Sequence, residues 1–220
     1  MSKYLIHTYP KRLWYVEQYL IPSMLEQGIE KVDITIYNDS KGEGNLRACM
    51  NAFASCTDEG GTWHLQDDVI ICKHFKELTE LYDYGLVCGF CSLAFDGDII
   101  ANRGAVKREN MWFSFPCIRI PNDYARECAD WVNNYIIGNF AYEKFWKSGR
   151  NDDWCFREYL KSYHKDEIAL NLAPNLVDHI DYLLGGGSGG QRPKNINTRA
   201  LYWWDKDLVV ELEEKINARS

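Results

Sequence analysis

Trp63-His64-Leu65-Gln66-Asp67-Asp68-Val69-Ile70-Ile71-Cys72 sets two adjacent carboxylates between two apolar runs. The runs read as short buried strands, and ionised carboxylates held between buried strands without partners are very costly. A divalent cation is the most economical partner. Hard oxygen ligands suit Mg²⁺ or Mn²⁺, and Mg²⁺ is commonly held by one or two protein carboxylates plus substrate phosphates. The simpler alternative is a tight turn whose Asp side chains accept from backbone N–H groups in water. The stretch alone leaves both readings open.

Toward the N-terminus, residues 3–6 form a short apolar start, the first strand, which runs into His7-Thr8-Tyr9-Pro10-Lys11-Arg12. Leu13, Val16, Leu20 and Met24 then recur near helical spacing with Gly28 as the stop, and Pro22 inside the pattern predicts a kink or break. Val32, Ile34 and Ile36 alternate with Asp33 and Thr35, which predicts a strand over residues 31–37. The polar loop Asn38-Asp39-Ser40-Lys41-Gly42-Glu43-Gly44 follows, and then a helix carrying Leu46, Cys49, Met50 and Phe53. Strand, helix, strand, helix, strand is the order of an α/β fold with a mainly parallel, twisted sheet flanked by helices. In such sheets ligands bind beyond the carboxyl ends of the strands. Those ends are residues 7–12, 38–44 and 66–68, so three polar clusters converge, and the metal reading gains on the turn.

Toward the C-terminus, Phe75, Leu78, Leu81 and Tyr82 predict a helix, residues 86–93 a strand, and residues 95–110 a long polar loop. The rings of Met111-Trp112-Phe113-Ser114-Phe115 either fill core, their commoner use, or stack on a sugar or base. Asn122 and Asp123 after Pro121 start a helix whose buried face carries Tyr124, Cys128, Trp131, Val132 and Tyr135. Residues 140–146 read as a further helical piece. Asp152-Asp153 then precedes Phe156, Tyr159, Leu160 and Tyr163 at helical spacing. Acidic residues there cap a helix and complement its dipole. A second acidic pair in a chain already holding Asp67-Asp68 leaves a catalytic role equally open. Residues 168–172 are the last strand, leading into Pro174-Asn175-Leu176-Val177-Asp178-His179, whose histidine is either packed or a metal ligand. Six residues, 185–190, are glycine but for Ser188, and Arg192, Lys194 and Arg199 follow. That segment is either a loop able to close over a diphosphate or a solvated loop without function. Leu208, Val209, Leu212 and Ile216 predict a C-terminal helix.

The 220 residues, 46% hydrophobic and 26% charged, fit one globular domain with a full-sized core. No run approaches the ~18 apolar residues of a membrane span, and the first residues lack a signal-peptide pattern. A cytoplasmic protein is therefore expected. Eight cysteines sit mostly in apolar segments, and the close pair Cys88 and Cys91 lacks the further ligands of a zinc site. Buried, reduced thiols are the expectation. A net charge of −7 argues against a surface that grips nucleic acid throughout, though not against a local basic patch.

Together these motifs resemble the GT-A glycosyltransferases over residues 4 to about 204. The first strand–helix unit, Asn38-Asp39 after the second strand, Gln66-Asp67-Asp68, and Asp152-Asp153 opening a helix occur in that family's order. The resemblance implies a nucleotide-sugar donor, UDP-linked first among candidates, and a divalent metal, Mn²⁺ or Mg²⁺. It implies a single GT-A-like domain with a nucleotide-sugar-binding half over about 1–95, an acceptor and catalytic half over about 96–204, and a C-terminal helix over 205–220. An Asp-x-Asp-type motif in the family holds the metal through its last Asp, here Asp68; Gln66 replaces the first acidic residue. Residues 174–179 are similar to a Pro-Ser-Leu-Val-x-His stretch whose His completes the metal shell in some members, which implies His179. Asp152-Asp153 is similar to the Glu-Asp pair of inverting members, whose Asp is the general base, which implies Asp153 with Asp152 beside it. Thr8, Tyr9, Arg12, Asn38, Asp39, Gln66, Asp67 and, from the tail, Arg192 would bind the donor, and Trp112 or Phe115 would platform the sugar or acceptor.

The chemistry so implied is inversion. The metal neutralises charge on the departing nucleoside diphosphate, and Asp153 takes a proton from the acceptor hydroxyl attacking the opposite face. The glycine-rich tail also resembles phage and prophage glycosyltransferases, some of which modify hydroxymethylated pyrimidines in DNA. Lys107-Arg108 and the basic residues of 192–199 would supply a local positive face for DNA, whereas the acidic balance favours a glycan acceptor, on a cell surface or a small molecule. Two other classes share these features. A nucleotidyltransferase would use the same sheet and metal site but normally has a glycine-rich loop after the first strand, and Thr8-Tyr9-Pro10 has no glycine. A non-catalytic carbohydrate- or nucleic-acid-binding module would explain the Trp and Tyr content without using the acidic pairs.

Overall fold

The strand β1 (Lys3–Thr8) sends alternate side chains into two different cores. Tyr4 and Ile6 join Trp63 and Leu65 of β3 (Gly61–Gln66) on one face, while Leu5 meets Ala52 and Cys56 on the other. A strand buried on both sides needs helices on both sides. In the computed structural model, which describes residues 2–90, 104–108, 115–147, 152–173, 175–180, 184 and 214, both layers are present.

The first face is covered by a helical run in three parts: α1 (Leu13–Tyr15), a π-helical turn (Val16–Leu20) and α2 (Ile21–Glu26). Pro22 falls in the first turn of α2, directly after the π turn. The wider turn absorbs the missing N–H and ring of proline, so the run bends without breaking. The second face is covered by α3 (Asn45–Ala54), which packs with helices α5 (Asn122–Trp131) and α7 (Asp152–Tyr163) around Phe53, Ile118, Cys128 and Phe156. Between them in the chain come α4 (Phe75–Leu81) and the short α6 (Glu143–Trp146).

The main sheet has seven strands in the order β2-β1-β3-β7-β5-β8-β6. The remaining members are β2 (Ile34–Asn38), β5 (Val87–Cys88), β6 (Gly104–Arg108), β7 (Cys117–Pro121) and β8 (Ala169–Ala173). β2, β1, β3, β5 and β8 all run one way, while β7 and β6 run against them. The expected mainly parallel sheet is thus an α/β mixed sheet, parallel in most of its strands. A second, two-stranded sheet pairs β4 (Val69–Ile71) with β9 (Val177–His179). The two strands flanking Asp67-Asp68 therefore belong to different sheets, and the acidic pair is the turn between them. β2 lies on one side of β1 and β3 on the other, which makes the β1–β3 carboxyl ends a switch point.

Several expectations are corrected. Lys31–Asp33 is a 3-10 turn and β2 starts only at Ile34, because Asp33 turns inward to accept from Lys3 Nζ at 2.6 Å, leaving Val32 exposed. Among described residues the strand expected over 86–93 is confined to Val87–Cys88. Gly104–Arg108 is a strand inside the expected loop. A π turn at Val132–Ile136 shifts the phase of the helix, so Ile136 is buried and Tyr135 is not. The seven described cysteines are buried. No helix among the described residues is long and apolar enough to cross a membrane. Cys91, Trp112, the glycine run, Arg192, Lys194, Arg199 and, apart from Glu214, the C-terminal helix lie outside the described residues.

Candidate functional site

The turn after β3 brings Asp67 and Asp68 to the carboxyl end of β1, and both are buried. Thr8, the last residue of β1, donates from its hydroxyl to Asp67 Oδ2 at 2.9 Å. Arg12 follows four residues later and is buried as well. Its Nη1 donates to Asp67 Oδ1 at 2.9 Å and to Asp68 Oδ2 at 2.5 Å. The guanidinium lies 5.3 Å from the centre of the Tyr9 ring. Its Nε makes no hydrogen bond among the described residues. The acidic pair therefore already has a cationic partner from the chain itself, which the cost argument from sequence had assigned to a metal.

His179 reaches the same point by strand pairing. Val69 and His179 are register partners in the small antiparallel sheet, and Ile180 N donates to Asp68 O at 2.7 Å. This sets His179 Nε2 3.0 Å from Asp68 Oδ1. At that separation both groups would be able to ligate one divalent ion. Among the described residues no group of three or more His, Cys, Asp or Glu is arranged to hold a metal. Asp68 and His179 are therefore two side chains that would hold an ion only with further ligands, and do not amount to a free-standing metal site.

The two carboxylates differ electrostatically. Burial and the adjacent Asp68 charge push the Asp67 carboxyl up to about 6, against the pull of Arg12 and Thr8. Burial also opposes ionisation of Asp68, but the His179 and Arg12 contacts more than offset it, and its pKa is lowered.

Asn38 is the register partner of Thr8 across β1 and β2, and its Oδ1 is buried without a hydrogen-bond partner among the described residues. Asp39 is committed to its own loop. Its two carboxylate oxygens accept from Glu43 N at 2.9 Å and Gly44 N at 3.1 Å, shaping the entry to α3. Tyr9 keeps about a third of its surface exposed, at 36%.

Gln66, next to Asp67, opens onto a small cleft on the α3 side of the sheet. His7 and His64 from the strands, Asn45 and Phe53 from α3, and Asp152 at the start of α7 also line it. The cleft has roughly 10 Å³ of free space, about one water molecule. Burial, and next the charge of Asp153, push the Asp152 carboxyl up to about 7, against backbone N–H groups and the Asn45 side chain, which favour its ionised form. Asp153 is exposed and accepts from Trp154 N at 2.7 Å. In the wall of the cleft His7 Nε2 and His64 Nδ1 are 3.0 Å apart, and burial lowers the pKa of both histidines, His7 to about 4.

The structure therefore brings together Thr8, Arg12, Asp67, Asp68 and His179, with Tyr9 and Asn38 beside them. It places Gln66 and Asp152 on the adjoining cleft, turns Asp153 to the surface, and gives Asp39 a structural task. His7 was read only as part of the 7–12 cluster; its pairing with His64, and Asn45, were missed from sequence. The available signal was a histidine on each of two apolar strands. An α/β protein with a buried charged cluster at the switch point of its sheet is what fold and site define. Compared with models of known protein families and with curated proteins, the chain matches none.

Proposed function

We propose that this chain is a glycosyltransferase of the GT-A type, moving a sugar from a nucleoside-diphosphate sugar to an acceptor hydroxyl with inversion. The observation that carries the reading is the junction at Gln66. It joins a buried Thr8–Arg12–Asp67–Asp68–His179 cluster to a cleft holding a carboxyl with a pKa of about 7. Cations and carboxylates at a switch point suit a diphosphate, and a carboxyl poised near neutral pH suits a general base.

In this reading Arg12 offers guanidinium N–H groups to phosphate oxygens, and Thr8 and Asn38 line the nucleotide side. Asp68 and His179 hold a divalent ion, which when bound supplies neutralising charge for the departing diphosphate. The cleft suits a hydroxyl group in size, with the sugar rings on its open side. Asp152 takes the proton from that hydroxyl. The family resemblance gives this role to Asp153, but exposure and the bond to its own helix leave Asp153 worse placed, and we assign the base to Asp152.

The test is calorimetric titration of UDP and other nucleoside diphosphates with and without Mn²⁺, then transfer assays on glycan and DNA acceptors. Metal-dependent binding that is lost in Asp68→Ala supports the donor site. Absence of nucleotide binding under both conditions overturns it and leaves a binding module.

A further inference from the structure

We infer that Arg12 is a tethered counter-cation that competes with a divalent ion for Asp68 and passes to the diphosphate when the donor arrives. Metal and nucleoside diphosphate then bind synergistically. The inference rests on the donor-site reading and adds to it the device that orders binding.

Arg12 Nη1 sits 2.5 Å from Asp68 Oδ2, while His179 Nε2 sits 3.0 Å from Oδ1 of the same carboxylate. An ion held by Asp68 Oδ1 and His179 shares that carboxylate with the guanidinium. Two cations on one buried carboxylate repel strongly, because partial burial screens them less than water does. With Arg12 in place, metal alone therefore binds weakly.

Arg12 also has somewhere to go. Its backbone is fixed, with Arg12 N donating to Tyr9 O at 2.9 Å and Tyr15 N donating to Arg12 O at 2.9 Å, so the exchange is a side-chain movement. The guanidinium rests over the partly exposed Tyr9 ring, and its Nε lacks a partner among the described residues. A phosphate oxygen on that side supplies the missing acceptor, and a diphosphate offers the planar fork the paired oxygens it fits best. Once Arg12 turns to phosphate, Asp68 is free for the metal, and metal and phosphate complete each other's coordination.

The experiment measures Mn²⁺ binding by electron paramagnetic resonance and calorimetry, with and without UDP, on the full chain and on Arg12→Gln and Arg12→Lys, with thermal melting as a second readout. The full chain is expected to bind Mn²⁺ at least about tenfold more tightly with UDP than without it. Arg12→Gln is expected to bind Mn²⁺ alone roughly tenfold more tightly than the full chain, to lose the part of the synergy that metal–phosphate coordination does not supply, and to gain more in melting temperature from Mn²⁺ alone. Arg12→Lys keeps the charge and the weak binding. Should Arg12→Gln fail to fold, Arg12→Met, which keeps the apolar stem and removes the charge, is read in the same way. Binding of UDP with Mn²⁺ but without synergy, or a folded Arg12→Gln with unchanged Mn²⁺ affinity, overturns the inference and leaves the donor site standing. Absence of any Mn²⁺ or nucleotide binding removes both.

Discussion

Asp152 and Asp153 are neighbours, yet the helix geometry of α7 turns them about 100° apart and gives them opposite surroundings. Asp152 faces the cleft with Asn45 and His7, whereas Asp153 faces water and bonds the N–H of the next residue. A carboxyl with a pKa of about 7 is half ionised at pH 7, which in the proposed role balances base strength against availability. The rate of sugar transfer should therefore rise with pH through about 7 as Asp152 ionises. Asp152→Asn should cut turnover by roughly 10²–10⁴-fold and flatten that rise, while leaving UDP affinity nearly intact. Asp153→Asn should stay within a few-fold of the parent. A pH–rate profile of the three proteins checks this, and the reverse ranking would return the base to Asp153.

Among the elements, β3 is the one that positions both halves of the site, and its start is fixed by an arginine laid across it. Arg119 on β7 donates from Nε to Asp83 Oδ1 and from Nη1 to Gly85 O, each at 2.6 Å. A Cβ on Gly61 would lie 2.6 Å from the guanidinium carbon. The head group is anchored at both of those bonds, so it yields poorly. Gly61→Ala should destabilise the protein by about 1–3 kcal/mol in urea unfolding. The penalty should shrink to a few tenths when Arg119→Met is already present, since the obstacle is then a flexible thioether. Equal penalties in both backgrounds would place the strain elsewhere. What could be read ahead at this scale was whatever local periodicity controls: β1, β3, α3, α7 and β8, whereas the short strand carrying His179 was not anticipated. Local periodicity failed where a distant partner decided the outcome. Asp33 left its strand for Lys3, thirty residues away, and Tyr135 lost its place to Ile136 through a π turn that no spacing rule anticipates.

For the whole molecule, the convergence of residues 7–12, 38–44 and 66–68 was legible because parallel strands bring their carboxyl ends to one edge of the sheet. That Arg12 would neutralise the acidic pair was not, since sequence carries no information on which side chain fills a buried turn. The same burial has a global consequence for stability. Asp152 and Asp67 have folded pKa values raised to about 7 and about 6, so the native state binds more protons than the unfolded chain above pH ~4. Their contribution is present at low pH and is lost as pH rises through those values. His7 and His64 act oppositely. Their folded values are lowered, the native state binds fewer protons below about 6.5, and stability rises with pH up to that point. The opposing slopes cancel in part between pH 4 and 6. Above pH 6.5 the histidines are spent and Asp152 remains, so stability declines further toward pH 8. Asp152→Asn cannot ionise and should therefore be more stable than the parent at pH 8, by an amount on the order of 4 kcal/mol if the whole shift is expressed. The advantage should vanish toward pH 4, where the parent's own carboxyl is protonated. Urea unfolding of both proteins at pH 4.5, 6 and 8 would measure this, and an advantage independent of pH would mean that ionisation of Asp152 is not its source. A variant that gains stability while losing turnover is what a buried base held against its burial cost predicts, and a carboxylate serving only as a helix cap would lose stability on the same change.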